Sequence, residues 1–302
     1  MIVKLKPEIT ESVSEAEMSS TEFYSLNCRG RLLSLESPVI MGILNVTPDS
    51  FSDGGSYQEV EAAVEQARVM LSQGATIIDV GGYSSRPGAD HISTAEERNR
   101  VLPVIRALRD QFPQALLSID SFRSAVASAA LEAGAHLVND ISGGDLDPHM
   151  MPMVAEWGDV PYIMMHMKGT PQNMQRQARY EHVVNAVWQY FVEKTLQLRK
   201  LGLSDVVLDP GFGFGKTIRH NYQLMASLKQ FSMFGYPMLV GVSRKSFIYK
   251  VTGNEPATAD MHSQILHDHC LRQGANILRV HHVESAAKTI RLYLRMRADG
   301  IV

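Results

Sequence analysis

Residues 116–140 read LLSIDSFRSAVASAALEAGAHLVND, and the fold can be worked outward from this stretch. A short apolar run (116–120) leads through a polar loop into a helix-forming segment. Gly134 follows, then a second apolar run (136–140). The runs are almost continuously apolar rather than alternating, the pattern of strands buried on both faces of a parallel sheet. Gly134 stands where a helix ends in a left-handed cap. The same unit recurs along the chain. Further runs are VIMGIL (39–44), TIIDVG (76–81), PYIMM (161–165), DVVLD (205–209), PMLVGV (237–242) and NILRV (276–280), which makes eight in all. Amphipathic segments such as 59–74, 95–112 and 181–202 lie between them, and Gly74, Gly202 and Gly274 repeat the role of Gly134.

Eight strand–helix units spaced by roughly 33 residues predict a single α/β domain, a (β/α)8 TIM barrel. A doubly wound open sheet also alternates strand and helix, but it usually has fewer strands. Polar residues favour the barrel. They sit at or just after the end of nearly every run: Asn45, Asp79, Asp120, Asn139 with Asp140, His166, Asp209, Ser243 to Lys245, and Arg279 with His281. A ring of polar groups at one end of eight strands is what a barrel active site requires. Ahead of the barrel, 24–35 reads as a β-hairpin turning at Arg29-Gly30. Residues 1–22 are polar and Ser/Glu-rich, without periodicity, and are expected to form a mobile extension to a barrel domain over 23–302.

The net charge of −3 argues against a general nucleic-acid binder. No apolar stretch approaches the length of a membrane span. The N-terminus is acidic and lacks the apolar centre of a signal peptide. Two cysteines, Cys28 and Cys270, cannot build a disulfide framework, so the expected setting is reducing and cytoplasmic.

Chemistry concentrates in the loops after the strands. The first, Asn45 to Gly55, carries Ser50 and Ser52 among turn residues, and suits either a mobile lid or a surface turn. Asn45 can offer a carbonyl oxygen to a hard cation such as Mg2+. The second, Gly81 to Ala89, combines glycine, serine and Arg86, a set that suits an anion, although Arg86 reads equally as a surface arginine. Asp120, Asn139 and Asp209 close strands. They could hydrogen-bond the edge of a planar heterocycle, act as acid and base, or cap the helices that follow. The segment DPGFGFGKT (209–217) fails as a phosphate-binding loop, because position 210 is Pro210 where that motif needs glycine. Its glycines instead suit close approach to a flat ligand stacked on Phe212 or Phe214. Ser243-Arg244-Lys245-Ser246 places cations at the end of the seventh run. Arg279 and His281 share a face and form a candidate phosphate clamp. The histidines of 262–269 lack zinc-site spacing.

Seven blocks, in order and spacing, resemble the dihydropteroate synthase family: 43–55, 74–89, 118–144, 165–175, 208–217, 240–248 and 276–281. The resemblance implies an enzyme that condenses a dihydropterin methyl diphosphate with 4-aminobenzoate to 7,8-dihydropteroate and diphosphate. It also implies Mg2+ assistance, sulfonamides as inhibitors and a homodimer. It places the pterin against Asp120, Asn139, Met165, Asp209, Phe214, Gly241 and Lys245. The diphosphate falls to Asn45, Arg86, Arg279 and His281, with the metal at Asn45. The aminobenzoate lies by Phe51, Ser85, Arg86, Pro87, Lys245 and Ser246. Asp120, Lys245 and Asn45 are the implied catalytic groups. Three positions depart from the family pattern: Tyr83 replaces a glutamate, Ser85 a threonine and His282 an aspartate.

Overall fold

The computed structural model describes residues 23–46, 57–85, 90–253, 255 and 258–301. The N-terminal extension expected over 1–22 lies outside the described residues, as do the first loop from 47 to 56 and residues 86–89.

Strands β1 (Ser25–Cys28) and β2 (Arg31–Ser34) form the expected antiparallel hairpin. The barrel then runs β3 (Val39–Asn45), α1 (Tyr57–Ser72), β4 (Ile77–Gly81), α2 (Thr94–Gln111), β5 (Leu116–Asp120) and α3 (Ser124–Ala133). It continues through β6 (Leu137–Asp140), α4 (Met150–Trp157), β7 (Tyr162–Met165), α5 (Val183–Lys200), β8 (Val206–Asp209) and α6 (Ile218–Ala226). After a 3-10 helix (Leu228–Phe234) come β9 (Leu239–Val240), α7 (Ser246–Thr252), α8 (Asp260–Arg272), β10 (Ile277–Val280) and α9 (Val283–Ala298). Strands β3 to β10 form one parallel sheet in the order β8-β7-β6-β5-β4-β3-β10-β9. A parallel bridge from Leu208 to Met238 closes it, with the Leu208 amide donating to the Pro237 carbonyl at 2.9 Å. The sheet is a barrel, not an open doubly wound sheet. The seventh run is the weak seam: its regular strand is only Leu239–Val240, and Met238 adds the single bridge to Leu208.

Strand geometry explains how the interior is layered. Side chains two residues apart point the same way. One residue from each of the eight strands builds an apolar floor: Met41, Ile77, Leu116, Leu137, Ile163, Val207, Leu239 and Ile277. Two residues further along each strand the composition changes to Ile43, Asp79, Ser118, Asn139, Met165, Asp209, Gly241 and Arg279. The alternate residues, including Ile78, Val80, Leu117, Ile119 and Leu208, pack outward against the helices. Both faces are therefore buried, which is why the runs read as continuously apolar.

The hairpin plugs the barrel from below. Its Leu26, Cys28, Leu33 and Leu35 pack against the floor. The Arg29 guanidinium fastens it by donating to the carbonyls of Leu131 (2.7 Å) and Ala135 (2.9 Å), and Arg31 donates to those of Pro113 and Ala115. Burial pushes the Cys28 thiol up to about 12, so it is an inert packing group. Truncating Leu33 to Ala is expected to cost about 2–4 kcal/mol of stability. A urea unfolding midpoint measures this, and kcat should be unchanged, since the plug lies at the far end of the barrel from the polar layer.

Candidate active site

The second interior layer forces the chemistry. Asp79 is buried, and an ionised carboxylate there must be paired. Its Oδ2 accepts from Arg279 Nε at 2.7 Å and from Asn139 Nδ2 at 2.9 Å. Its Oδ1 is buried and has no partner among the described residues. Arg279 bridges upward as well, donating through Nη2 to Asp120 Oδ2 at 2.5 Å. Strand pairing sets this geometry: Asp120 lies beside Gly81 on one side and Asn139 on the other. A side chain at Gly81 would begin 3.4 Å from the Asp120 carboxylate, so glycine leaves that carboxylate room. Burial lifts the Asp120 carboxyl, Arg279 pulls it back down, and the Asp79, Glu97 and Asp140 carboxylates add to the rise. The outcome is about 7.

The opposite wall is cationic. Asp209 ends β8, and its Oδ1 accepts from the Gly211 amide at 2.7 Å. Burial raises this carboxyl against the opposing pull of Lys245 and that amide. Burial lowers the Lys245 ammonium to about 8, with Asp209 pulling it back up and Arg279 pushing it further down. Its ammonium donates to the Phe212 carbonyl and lies 4.5 Å from the Phe214 ring centroid. Lys216 is fully enclosed. It donates to the carbonyls of Gly211 (2.9 Å), Phe214 (3.0 Å) and His166 (3.1 Å), and sits 2.9 Å from His166 Nδ1. It thus pins the glycine loop around one buried amine, which burial lowers to about 7. A Cβ at Gly211 would meet the His166 carbonyl oxygen at 2.0 Å, and φ there is +70°, so only glycine fits.

Most of the residues singled out in the sequence meet at this end of the barrel. Asp120, Asn139, Met165, Asp209, Gly241, Lys245 and Arg279 stand at or close to the ends of their strands, with Phe214 against the Lys245 ammonium. Met165 faces inward among Tyr83, Phe122 and Met174, whereas Met164 packs outward. Phe212 is wholly buried against Phe247, which leaves Phe214 as the aromatic at the mouth. His281 sits 3.1 Å from the Ser243 hydroxyl through Nδ1, half-buried one step above Arg279. Asn45 ends β3 beside Gly81, also half-buried. Ser85 and Ser246 are half-buried at the rim, Ser246 in the first turn of α7. Phe51, Arg86 and Pro87 lie outside the described residues.

The capping alternative does not hold. The caps of α3, α4 and α6 are Arg123, His149 and Thr217, so Asp120, Asn139 and Asp209 serve none of them. His282 explains its own departure. It caps α9, its Nδ1 accepting from the Ser285 amide at 3.4 Å, a task an aspartate performs equally well. Two residues to which the sequence assigned no role belong to the site. Asp79 was detectable as a lone carboxylate inside an apolar run. Lys216 carried no local signal, because a loop rather than a strand buries it.

A metal at Asn45 would meet a neutral amide oxygen, a hard donor suited to Mg2+. Among the described residues no group of three or more His, Cys, Asp or Glu could hold an ion. Among the described residues, no helix is long and apolar enough to cross a membrane.

Comparison with known proteins agrees with this geometry. The family model for pterin binding enzymes matches residues 41–281. The dihydropteroate synthase of Escherichia coli K12 is 42% identical over 269 residues, spanning 88% of this chain and 94% of its own. The Xanthomonas albilineans dihydropteroate synthase, solved with 4-aminobenzoic acid, superposes with a TM-score of 0.85 at 39% identity, covering 91% of this chain and 98% of that one. The Yersinia pestis enzyme, solved with a sulfonamide drug complex, does so with 0.85 at 40% identity, covering 91% and 100%. A barrel with a polar second layer, a cationic rim and these relatives over nearly its whole described length belongs to the pterin-binding enzyme family, among the dihydropteroate synthases.

Proposed function

We propose that this chain condenses (7,8-dihydropterin-6-yl)methyl diphosphate with 4-aminobenzoate, giving 7,8-dihydropteroate and diphosphate. One observation carries the reading: hydrogen-bonding groups sit on an apolar floor inside the barrel, with the Arg279 guanidinium among them and Lys245 above. A flat heterocycle with alternating donors and acceptors needs the first, and a diphosphate needs the second.

In this reading Asn139, Asp209 and Asp120 hydrogen-bond the pterin edge, with Lys245 assisting and Met165, Gly241 and Phe214 flanking the ring. Arg279 and His281 take the diphosphate together with Arg86. Asn45 would hold Mg2+, which supplies positive charge to the leaving group when bound. The bond from the pterin methylene carbon to the diphosphate oxygen breaks first, and its electron pair leaves with the diphosphate. Asp120, ionised above about pH 7, stabilises the cation left behind. The aminobenzoate nitrogen, positioned near Phe51, Ser85, Pro87, Lys245 and Ser246, then forms the new bond, and the proton it gives up is taken by the departing diphosphate. Loop closure keeps water from the cation. The chain works in the cytoplasm, which two buried free thiols support, and as a homodimer, which the exposed Met261, Ile265 and Leu292 on α8 and α9 support.

A product assay with both substrates and Mg2+ tests the function. One dihydropteroate and one diphosphate are expected per aminobenzoate consumed, with sulfonamides competing against the amine. Binding of the pterin without any product would contradict it.

A further inference from the structure

Tyr83 replaces the glutamate of the family pattern, and the reaction as derived makes no use of it. Its ring is buried, edge-on to Phe122 with centroids 5.1 Å apart. The Arg123 guanidinium lies 5.3 Å from the ring centroid and is itself fixed by the buried Glu97 and by the Ile92 carbonyl at 2.7 Å. The Tyr83 hydroxyl lies 3.2 Å from His91 Nδ1 and accepts from Gln172 Nε2. Arg123 Nη2, which can only donate, is 3.4 Å from His91 Nε2. That nitrogen is therefore the acceptor, and His91 Nδ1 carries the hydrogen that points at Tyr83. Gln172 belongs to the loop after β7. Gln175 of the same loop donates to the Gly213 carbonyl, 3.1 Å away, in the loop after β8. A chord of hydrogen bonds thus joins the loops after β4, β7 and β8 across the barrel mouth, above Met165, Met174 and Phe214.

We propose that Tyr83 is a positioning residue that sets selectivity for the second substrate, an aromatic amine bearing a carboxylate. Its hydroxyl ties the loop that carries Ser85 to the loop after β7 and fixes the width of the slot between them. The tie is made by a neutral phenol, where the family pattern has a carboxylate. The proposal rests on the condensation reading given above.

Steady-state kinetics of Tyr83→Phe, Gln172→Ala and the double variant test it, with each substrate varied separately. Loss of the tie removes a neutral hydrogen bond, so KM for 4-aminobenzoate should rise about fivefold to tenfold in either single variant. KM for the pterin diphosphate should stay within about twofold. The double variant should be no worse than the worse single one, since both remove the same tie. The wild type should prefer 4-aminobenzoate over 3-aminobenzoate, and the variants should lose part of that preference. Unchanged amine KM in both variants, equal rises for both substrates, or additive effects would each overturn the proposal. A wild type that makes no dihydropteroate would sink the underlying reading. A wild type that turns over, with variants unaltered in amine KM, would sink this proposal alone.

Discussion

Asp120→Asn is expected to lower kcat by about 10²–10³-fold, the usual effect of removing one preorganised group that stabilises charge in the transition state. Asparagine keeps the shape and one acceptor oxygen, and Arg279 keeps its pairing with Asp79, so pterin affinity should change far less than kcat. The pH profile supplies a second signature. The wild-type carboxyl is raised to about 7, so kcat/KM should fall as pH drops through that value, and the variant should lose this acid limb. Stability should move the other way. A carboxyl whose pKa is about 7 when folded, against 3.8 when free, binds its proton more readily in the folded chain. It therefore weakens the fold progressively as pH rises between those values, and that cost is complete above pH 7. The neutral amide removes it. A thermal midpoint at pH 8 that is held or raised, with activity collapsed, separates a catalytic role from a structural one. A midpoint that falls steeply would mean that Asp120 serves mainly the fold.

Arg279→Met should damage both fold and function. Arg279 bridges Asp79, whose side chain is fully buried, and Asp120. Methionine fills the space but leaves two carboxylates facing each other out of water. Breaking a buried pair by removing one partner costs about 3–5 kcal/mol. Urea unfolding at pH 8 should show that loss, with partial recovery at pH 5, where a carboxylate takes up a proton in place of the missing guanidinium. Diphosphate affinity should fall together with stability, and kcat/KM by at least about 10³-fold. Arg279→Lys should regain part of the stability and little of the activity, because a point charge cannot fork between two carboxylates as a guanidinium does. Full activity in the methionine variant would exclude Arg279 from the diphosphate site.

How much of this was legible in the sequence depended on how far apart the interacting parts lay. Seven of the eight strands follow their apolar runs to within a residue or so, since burial on both faces leaves a direct mark on composition. The seventh run shrank to two residues because closing a barrel depends on where the last strands meet, which no local pattern states. Arg279, Asn139 and Asp209 were legible as polar residues that interrupt or end apolar runs. That Asp79 pairs with both Arg279 and Asn139 was harder to see. Asp79 lies 200 positions from Arg279, and only the closed sheet brings them to 2.7 Å. Lys216 sat in a motif that failed as a phosphate loop, and its actual task of holding three carbonyls and a histidine appears only once the loop is wound. The Tyr83 chord joins three loops and leaves no periodic trace at all.

In the proposed reaction carbon–oxygen cleavage precedes amine attack inside this barrel. The most direct measurement is a rapid-quench single turnover, with enzyme in excess over the dihydropterin diphosphate, Mg2+ present and 4-aminobenzoate varied from zero upward. Diphosphate should be released at a rate independent of amine concentration, with an equal amount of dihydropteroate whenever amine is present. A release rate that climbs in proportion to the amine, or no dihydropteroate under any condition, would contradict the proposed reaction.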